Sequence, residues 1–318
     1  MRQLYLAAAG FSRPEIRLRD HVSLSEGIVP FAIPDIRTAL RPDYLTETSN
    51  EDPFQVVPAL VTTPTALAAE AARSALQAAS LDEHSLGLIL GATSTPLQTT
   101  PAESQRVGKE LGVKIPAYDV HSGGADLALH LETLSSWKTD RIPENTLILS
   151  THLPTTRMNF REEAVEHAVF SDGAGAAIVS TSRGPFRVKN AVAKMFPSLG
   201  ERFSIDVYGH LQVDLSFETS VAVPRLAELL AELRPLLSSN TLFVDSQLTP
   251  ESFRLLESAV GYGNWYSSFS EFGNMFGASP FAAIATLEER GEMNAEHIVL
   301  IQSGIGLSVG AVMLEREA

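Results

Sequence analysis

The feature that most constrains the fold is a regular alternation of helices and short apolar strands joined by short links. Between residues 64 and 153 the pattern predicts helix, strand, helix, strand, helix and strand, at 64–79, 86–95, 100–112, 116–120, 125–137 and 145–153. Strands and helices that alternate in this way form parallel βαβ units, in which helices cover the faces of a sheet. The sequence therefore predicts an α/β protein.

A second run of helices and strands follows residue 183. It predicts helices at 223–237, 250–260 and 279–292, and strands at 241–245, 297–304 and 306–316. A chain of 318 residues is long enough for two such units. Because the two runs are similar in size and order, we predict an internal duplication, with an N-terminal half over 1–182 and a C-terminal half over 183–318.

Composition narrows the function classes. The chain contains no cysteine, which excludes disulfides and thiolate metal sites. It carries a net charge of −14 at pH 7, which argues against nucleic acid as a partner because phosphate binding needs a basic surface. No window approaches eighteen consecutive apolar residues, so we expect no membrane span and a cytoplasmic location. The histidines show no metal-ligand spacing, and we expect neither a metal nor a cofactor.

Three glycine-containing stretches carry further information. "FSDGAGAAIVS" (170–180) predicts a strand packed closely against another element, with Asp172 holding a turn. "EFGNMFGASPFAAI" (271–284) places Asn274 after a glycine, where its amide either donates into a pocket or serves turn chemistry. "QSGIGLSVGA" (302–311) is typical of a tight hairpin, whose N–H groups are also suited to an oxyanion hole.

Taken together, four ordered stretches resemble the β-ketoacyl-ACP synthase III branch of the thiolase superfamily. They are "GATSTPLQTTPAESQRVGKELGVKIPAYDVHSGGA", "FSDGAGAAIV", "FGNMFGAS" and "VLIQSGIGLSVGAVML". The resemblance implies a thiolase-like fold, five-layered αβαβα, with two pseudo-equivalent halves. It also implies a dimer in which the central sheets of the two subunits run on into each other.

The resemblance implies three catalytic positions, of which two are replaced here. Family members use a cysteine five residues after the aspartate of a strand, and that position, counted from Asp119, is Gly124. The family histidine lies in a His-Gln-Ala-Asn stretch, and the matching "DSQLT" places Ser246 there. The family asparagine is retained as Asn274. Because glycine has no side chain to carry an acyl group, the family's covalent route is excluded at Gly124.

An alternative nucleophile is Ser122 in "HSGG", since some relatives in polyketide priming use serine. Its position two residues before Gly124 moves the side chain several ångströms from the expected site, on the order of 3.3 Å per extended residue. His121 is a poor base for it, because sequence neighbours point in different directions. A serine-dependent acyltransferase or priming ketosynthase using Ser122 therefore stays the alternative, together with an acyl-thioester binding protein.

The favoured hypothesis is a degenerate, non-catalytic ketosynthase III-like subunit of an acyltransferase complex in fatty-acid, polyketide or other secondary-metabolite biosynthesis. It would form a heterodimer with an active ketosynthase III-like subunit, with a homodimer as the alternative. Acyl-CoA or acyl carrier protein would be engaged through the partner, because acyl carrier proteins are acidic and this chain is also acidic.

Overall fold

The structure is a computed structural model that describes residues 3–22, 34–47, 59–158 and 169–317. The strands of its main sheet are β1 (Tyr5–Ser12), β4 (Leu88–Ala92), β5 (Ala117–Asp119), β6 (Asn145–His152), β7 (Gly173–Ser180), β8 (Phe186–Met195), β11 (Thr241–Asp245), β12 (Asn264–Ser267), β13 (His297–Gly304) and β14 (Ser308–Arg316). The other described strands form two small antiparallel pairs: β2 (Ile16–Arg17) with β3 (Arg37–Thr38), and β9 (Phe203–Ile205) with β10 (Leu211–Val213).

The helices within this part of the chain include three that are short. In chain order they are α1 (Pro42–Glu47), α2 (Pro64–Ala78), α3 (Glu103–Glu110), α4 (Asp126–Ser136), α5 (Leu215–Phe217), α6 (Val223–Leu233), α7 (Pro250–Val260), α8 (Phe269–Phe272) and α9 (Ser279–Glu289). In the described residues no helix is long and apolar enough to cross a bilayer.

The strands of the main sheet join in one hydrogen-bonded order, β5-β4-β6-β7-β1-β8-β14-β13-β11-β12. From the centre outward, the N-terminal half contributes β1, β7, β6, β4 and β5, and the C-terminal half contributes β8, β14, β13, β11 and β12. The two halves follow the same order along the chain, and their neighbouring strands pair in the same directions. The halves meet where Tyr5 and Leu6 pair with Arg187 and Phe186. This order is what an internal duplication produces, while the boundary at residue 182 stays a prediction.

The helices form three layers around the strands. Helices α4 and α9 lie in the middle, because each packs against strands of both halves, whereas α2 and α3 cover the N-terminal strands and α6 and α7 the C-terminal ones. The central core accordingly joins Leu127 and Leu131 of α4 to Phe281 and Ile284 of α9. The predicted five-layered thiolase-like αβαβα fold is confirmed.

The glycines of the 170–180 stretch act through close packing, as the sequence predicts. A Cβ added to Gly175 would lie 2.5 Å from Cβ of Phe281, and one added to Gly173 would overlap the side chain of Met275. Asp172 accepts hydrogen bonds from the backbone N–H groups of Ala39 and Thr155 at 2.8 and 3.0 Å. Strand β7 therefore lies directly against the segment that leads into α9.

Most predicted elements occur within a few residues of their expected bounds; helix α3 begins late and helix α6 ends early, each for a physical reason. Helix α3 begins at Glu103, because the carboxylate of Asp119 accepts the N–H groups of Glu103 and Ser104 at 2.8 and 3.0 Å. Helix α6 ends at Leu233 in a 3₁₀ turn that contains Pro235, which has no N–H for a helical hydrogen bond.

Candidate functional site

Three polar side chains meet at the carboxyl ends of the parallel strands β4, β5 and β6. Ser94 lies two residues after β4, His152 is the last residue of β6, and Asp126 is the first residue of α4, which follows β5. Because β4 pairs in parallel with both β5 and β6, these chain positions converge at one edge of the sheet. Ligands in α/β proteins commonly bind at this edge.

The three side chains form a hydrogen-bonded chain from serine to histidine to aspartate. The Ser94 hydroxyl lies 2.8 Å from Nδ1 of His152, and the Ser94 backbone N–H donates to the same nitrogen at 3.2 Å. Nε2 of His152 lies 3.1 Å from Oδ2 of Asp126. Since Nδ1 accepts, the neutral imidazole carries its proton on Nε2 and donates it to the carboxylate.

Asp126 is held as a carboxylate by several donors although it is fully buried. Its Oδ1 accepts the N–H and hydroxyl of Ser122 at 2.7 and 3.0 Å, and its Oδ2 accepts the Ser150 hydroxyl at 2.9 Å. Burial alone would raise the pKa of Asp126, but the hydrogen bonds from His152 and from the Ser122 N–H outweigh it and hold the pKa well below its usual range.

The backbone opposite Asp126 is shaped to admit this carboxylate. A Cβ added to Gly277 would overlap Oδ2 of Asp126 and lie 2.5 Å from the Ser150 hydroxyl. The preceding residue, Phe276, has a φ of 49°, a conformation that non-glycine residues seldom adopt. Its ring packs edge-on against the His152 imidazole with centroids 5.6 Å apart. The residues around 276 therefore fix both the aspartate and the histidine.

Ser94 opens on a cavity of about 660 Å³. Apolar side chains contribute much of its wall. The lining residues are Thr93, Ser94, Pro96, His121, Ser122, Gly123, Met195, Pro197, Ser204, Ile205, Ile305, Gly306 and Ser308. Ser94 itself is half-buried, whereas His152 and Asp126 have no exposed surface. The serine is therefore the member of the chain of hydrogen bonds that faces the cavity.

Gly124, where the sequence resemblance predicts the family cysteine position, has no space for a side chain. A Cβ built there would lie 2.5 Å from the Ser303 carbonyl oxygen and closer still to Cα of Gly304. The atoms that fill the space belong to the backbone of the β13–β14 hairpin, which cannot rotate away. Among the described residues Gly124 is also absent from the cavity wall.

Ser246 and Asn274 lie in the interior instead of facing the cavity. The Ser246 hydroxyl is buried and has no hydrogen-bond partner in the described residues. Asn274 uses its amide structurally: Nδ2 donates to the Gln247 carbonyl at 3.0 Å, and Oδ1 accepts the Phe276 N–H at 2.7 Å. Of the two alternatives left open by the sequence, this geometry favours turn chemistry for Asn274.

Ser122 lines the cavity, but its hydroxyl donates to Asp126 and not to a histidine. His121 is exposed and makes no recorded hydrogen bond to it. The sequence reasoning did not single out Ser94, His152 or Asp126. The available signal was the aspartate in "ADLALHL" (125–131), since a charge at the start of a helix expected to be buried needs a partner.

No group of histidine, aspartate or glutamate side chains in the described part of the chain is arranged to hold a metal ion. Two other deeply buried carboxylates, Asp245 and Asp172, accept backbone N–H groups. Burial raises the pKa of Asp245 to about 7, against the lowering effect of the N–H groups of Gln247 and Leu248. It likewise raises the pKa of Asp172 to about 7.

Comparison with curated proteins finds relatives over part of the chain. The chain is 33% identical over 121 residues to a β-ketoacyl-[acyl-carrier-protein] synthase III from Neisseria meningitidis serogroup C, which is 37% of this chain and 38% of that protein. The enzyme of the same name from Neisseria gonorrhoeae is 32% identical over the same length. The match thus spans well under half of these relatives, and no family model matches the chain.

Solved structures of similar fold cover the whole chain. The 3-oxoacyl-[acyl-carrier-protein] synthase III from Aquifex aeolicus has a TM-score of 0.83 at 22% identity, covering 98% of this chain and 99% of that one. The corresponding protein from Pseudomonas aeruginosa has a TM-score of 0.81 at 19% identity, covering 100% and 99%. The priming β-ketosynthase of the R1128 polyketide pathway has a TM-score of 0.80 at 21% identity, covering 99% and 96%. The resemblance read from the sequence motifs is confirmed.

Proposed function

We propose that this β-ketoacyl-ACP synthase III-like chain is a non-condensing subunit that pairs with an active ketosynthase. The observation that carries the proposal is the packing of Gly124 against the backbone of Ser303 and Gly304. A condensing enzyme of this kind needs a nucleophile that holds the acyl group while the new carbon–carbon bond forms. Gly124 offers no such group and no room for one.

The other two family positions support the same conclusion. Ser246 cannot act as the histidine would, because a neutral hydroxyl buried without a partner is neither a base nor a cationic donor. The Asn274 amide is bound to the Gln247 carbonyl and the Phe276 N–H and does not line the cavity, so it is not placed to stabilise an enolate there. The chain thus keeps the fold of a ketosynthase without the groups for condensation.

The partner would engage the outer edge of the N-terminal sheet. Strand β5 ends the strand order, so one side of its backbone is unpaired in the described residues. Such an edge is a template for pairing with another chain. Tyr118 on this strand is 38% exposed, and its ring lies 6.3 Å from that of Trp137. An aromatic pair beside an open edge is suited to a subunit interface.

The test is co-expression with an active ketosynthase III-like protein, with an affinity tag on this chain only. We expect both chains to co-purify, and Tyr118→Lys to abolish the complex, because a lysine at an edge strand opposes pairing. Tyr208→Lys is the matched control: Tyr208 is 69% exposed and lies between β9 and β10. It should leave the complex intact.

Two results would contradict the proposal. One is recovery of this chain as a homodimer that excludes the ketosynthase at equal expression. The other is a heteromer that Tyr118→Lys and Tyr208→Lys weaken equally, since the interface would then lie elsewhere.

A further inference from the structure

We propose that Ser94, His152 and Asp126 form a serine acyl-transfer site that accepts activated acyl groups, separate from the position at which the family condenses them. Each contact in the arrangement has the distance such a site needs: 2.8 Å from hydroxyl to imidazole and 3.1 Å from imidazole to carboxylate. The inference goes beyond the proposed pairing function and does not depend on it.

The imidazole is oriented from both sides. On the carboxylate side, Nε2 of His152 contacts Asp126 and lies 2.8 Å from the Ser150 hydroxyl. On the other side, the Ser94 N–H fixes Nδ1 as an acceptor. Nδ1 therefore carries a lone pair, and the Ser94 hydroxyl lies 2.8 Å from it, within the reach that a general base requires.

Asp126 acts as the positioning residue. Its Oδ1 is occupied by Ser122, so only Oδ2 is left to hold the imidazole. Gly277 leaves the space that this oxygen occupies. A buried carboxylate with this many donors stays ionised, and an ionised carboxylate stabilises the imidazolium that forms when serine gives up its proton.

The reaction balances with these groups alone. His152 Nδ1 takes the Ser94 proton as Oγ attacks the acyl carbonyl. The C–S or C–O bond of the activated acyl group then breaks, and the imidazolium protonates the departing thiolate or alkoxide. Water or an acceptor alcohol next attacks the Ser94 ester, gives its proton to His152, and releases the acyl group with Ser94 restored.

The cavity indicates the class of acyl group. Met195, Pro197, Ile205 and Ile305 present apolar surface in the space into which Ser94 faces. An apolar acyl chain fits such walls, because its burial removes hydrocarbon from water. We therefore assign the substrate class as thioesters or activated esters of apolar acids.

The experiment uses an alkyl fluorophosphonate that carries a fluorophore, applied to the full chain without a partner. We expect the probe to label one serine of the folded chain, and we expect no labelling of a chain that has been unfolded in urea. Ser94 and Ser122 lie in different tryptic peptides, 74–106 and 115–138, so mass spectrometry assigns the adduct. Ser94→Ala should remove labelling, and His152→Gln should slow it at least about 100-fold. Ser136→Ala, at an exposed serine of α4, is the control.

A second variant keeps the test decisive if Ser94→Ala fails to fold. Ser94→Cys should be alkylated by iodoacetamide faster than a free thiol, and His152→Gln should remove that advantage. Any of three results would overturn the proposal. The first is an adduct on Ser122, the second is labelling of the folded chain no faster than labelling of the unfolded chain, and the third is a Ser94→Cys variant that iodoacetamide does not alkylate faster than a free thiol. Because no partner is needed, failure here leaves the pairing proposal standing, and failure of co-purification leaves this one standing.

Discussion

Adding one methyl group at Gly124 should destabilise the protein strongly. In Gly124→Ala the new Cβ would lie 2.5 Å from the Ser303 carbonyl oxygen and nearer still to Cα of Gly304. Both distances are far shorter than the optimal separation of about 3.5–4.0 Å between nonbonded carbon atoms. Overpacking typically costs about 1–3 kcal/mol, and more where the neighbours cannot move. Because both neighbours are backbone, we expect a loss of about 3 kcal/mol or more. At roughly 2 °C per kcal/mol, the melting temperature should fall by about 6 °C.

Differential scanning calorimetry, supported by urea unfolding, measures this loss. Gly108→Ala is the matched control, since a Cβ there would lie 3.4 Å from Ile89 and 3.8 Å from Val113, which are ordinary contacts. In helix α3 that change should be neutral or stabilising by up to about 1 kcal/mol. The reasoning is refuted if Gly124→Ala is as stable as the parent, or if Gly124→Cys folds normally and gains an acyl group from acyl-CoA.

Three further predictions concern the surroundings of the site. Gly277→Ala should destabilise the chain, and less so in an Asp126→Ala background; a double-mutant cycle should give a coupling of about 1 kcal/mol or more, and additivity would refute the contact. Asn274→Asp should cost about 1–3 kcal/mol in urea unfolding, because an oxygen would replace the donor to Gln247; an unchanged midpoint would show that the bond is unimportant. Burial raises the pKa of Asp245 to about 7, so the folded state binds a proton that the unfolded chain releases near its ordinary pKa of 3.8. The free energy of unfolding should therefore fall as pH rises from about 4 to about 7. Asp245→Asn should flatten this fall, and an unaltered slope would contradict the assignment.

The sequence predicted the fold well because its signals are local. Helices 64–79 and 250–260 and strand 241–245 carry their periodicity, caps and prolines within a few residues, and the structure places them within one residue of those bounds. The motif order added the thiolase-like architecture. The glycines of "DGAGAA" predicted that β7 packs closely against another element, because such spacing is typical of close packing. The structure shows that Phe281 is part of that element.

The candidate site was harder to predict, because its members are far apart in the chain. Ser94, Asp126 and His152 come from three segments, and their types are common enough that no spacing links them. The closure of the space at Gly124 was equally hidden, since it depends on the backbone of Ser303 and Gly304 some 180 residues away. The sequence resemblance predicts that the family nucleophile is replaced there, but it does not predict that the space for a side chain is filled.

The most direct test of the central claim is a condensation assay with purified proteins. This chain alone, its complex with the active ketosynthase, and a complex whose partner lacks its nucleophilic cysteine are each given acyl-CoA and a malonyl thioester, and β-ketoacyl product is measured by mass spectrometry. We predict product only from the complex with the intact partner. Product from this chain alone, or from the complex without the partner's cysteine, would show that this chain condenses acyl groups itself.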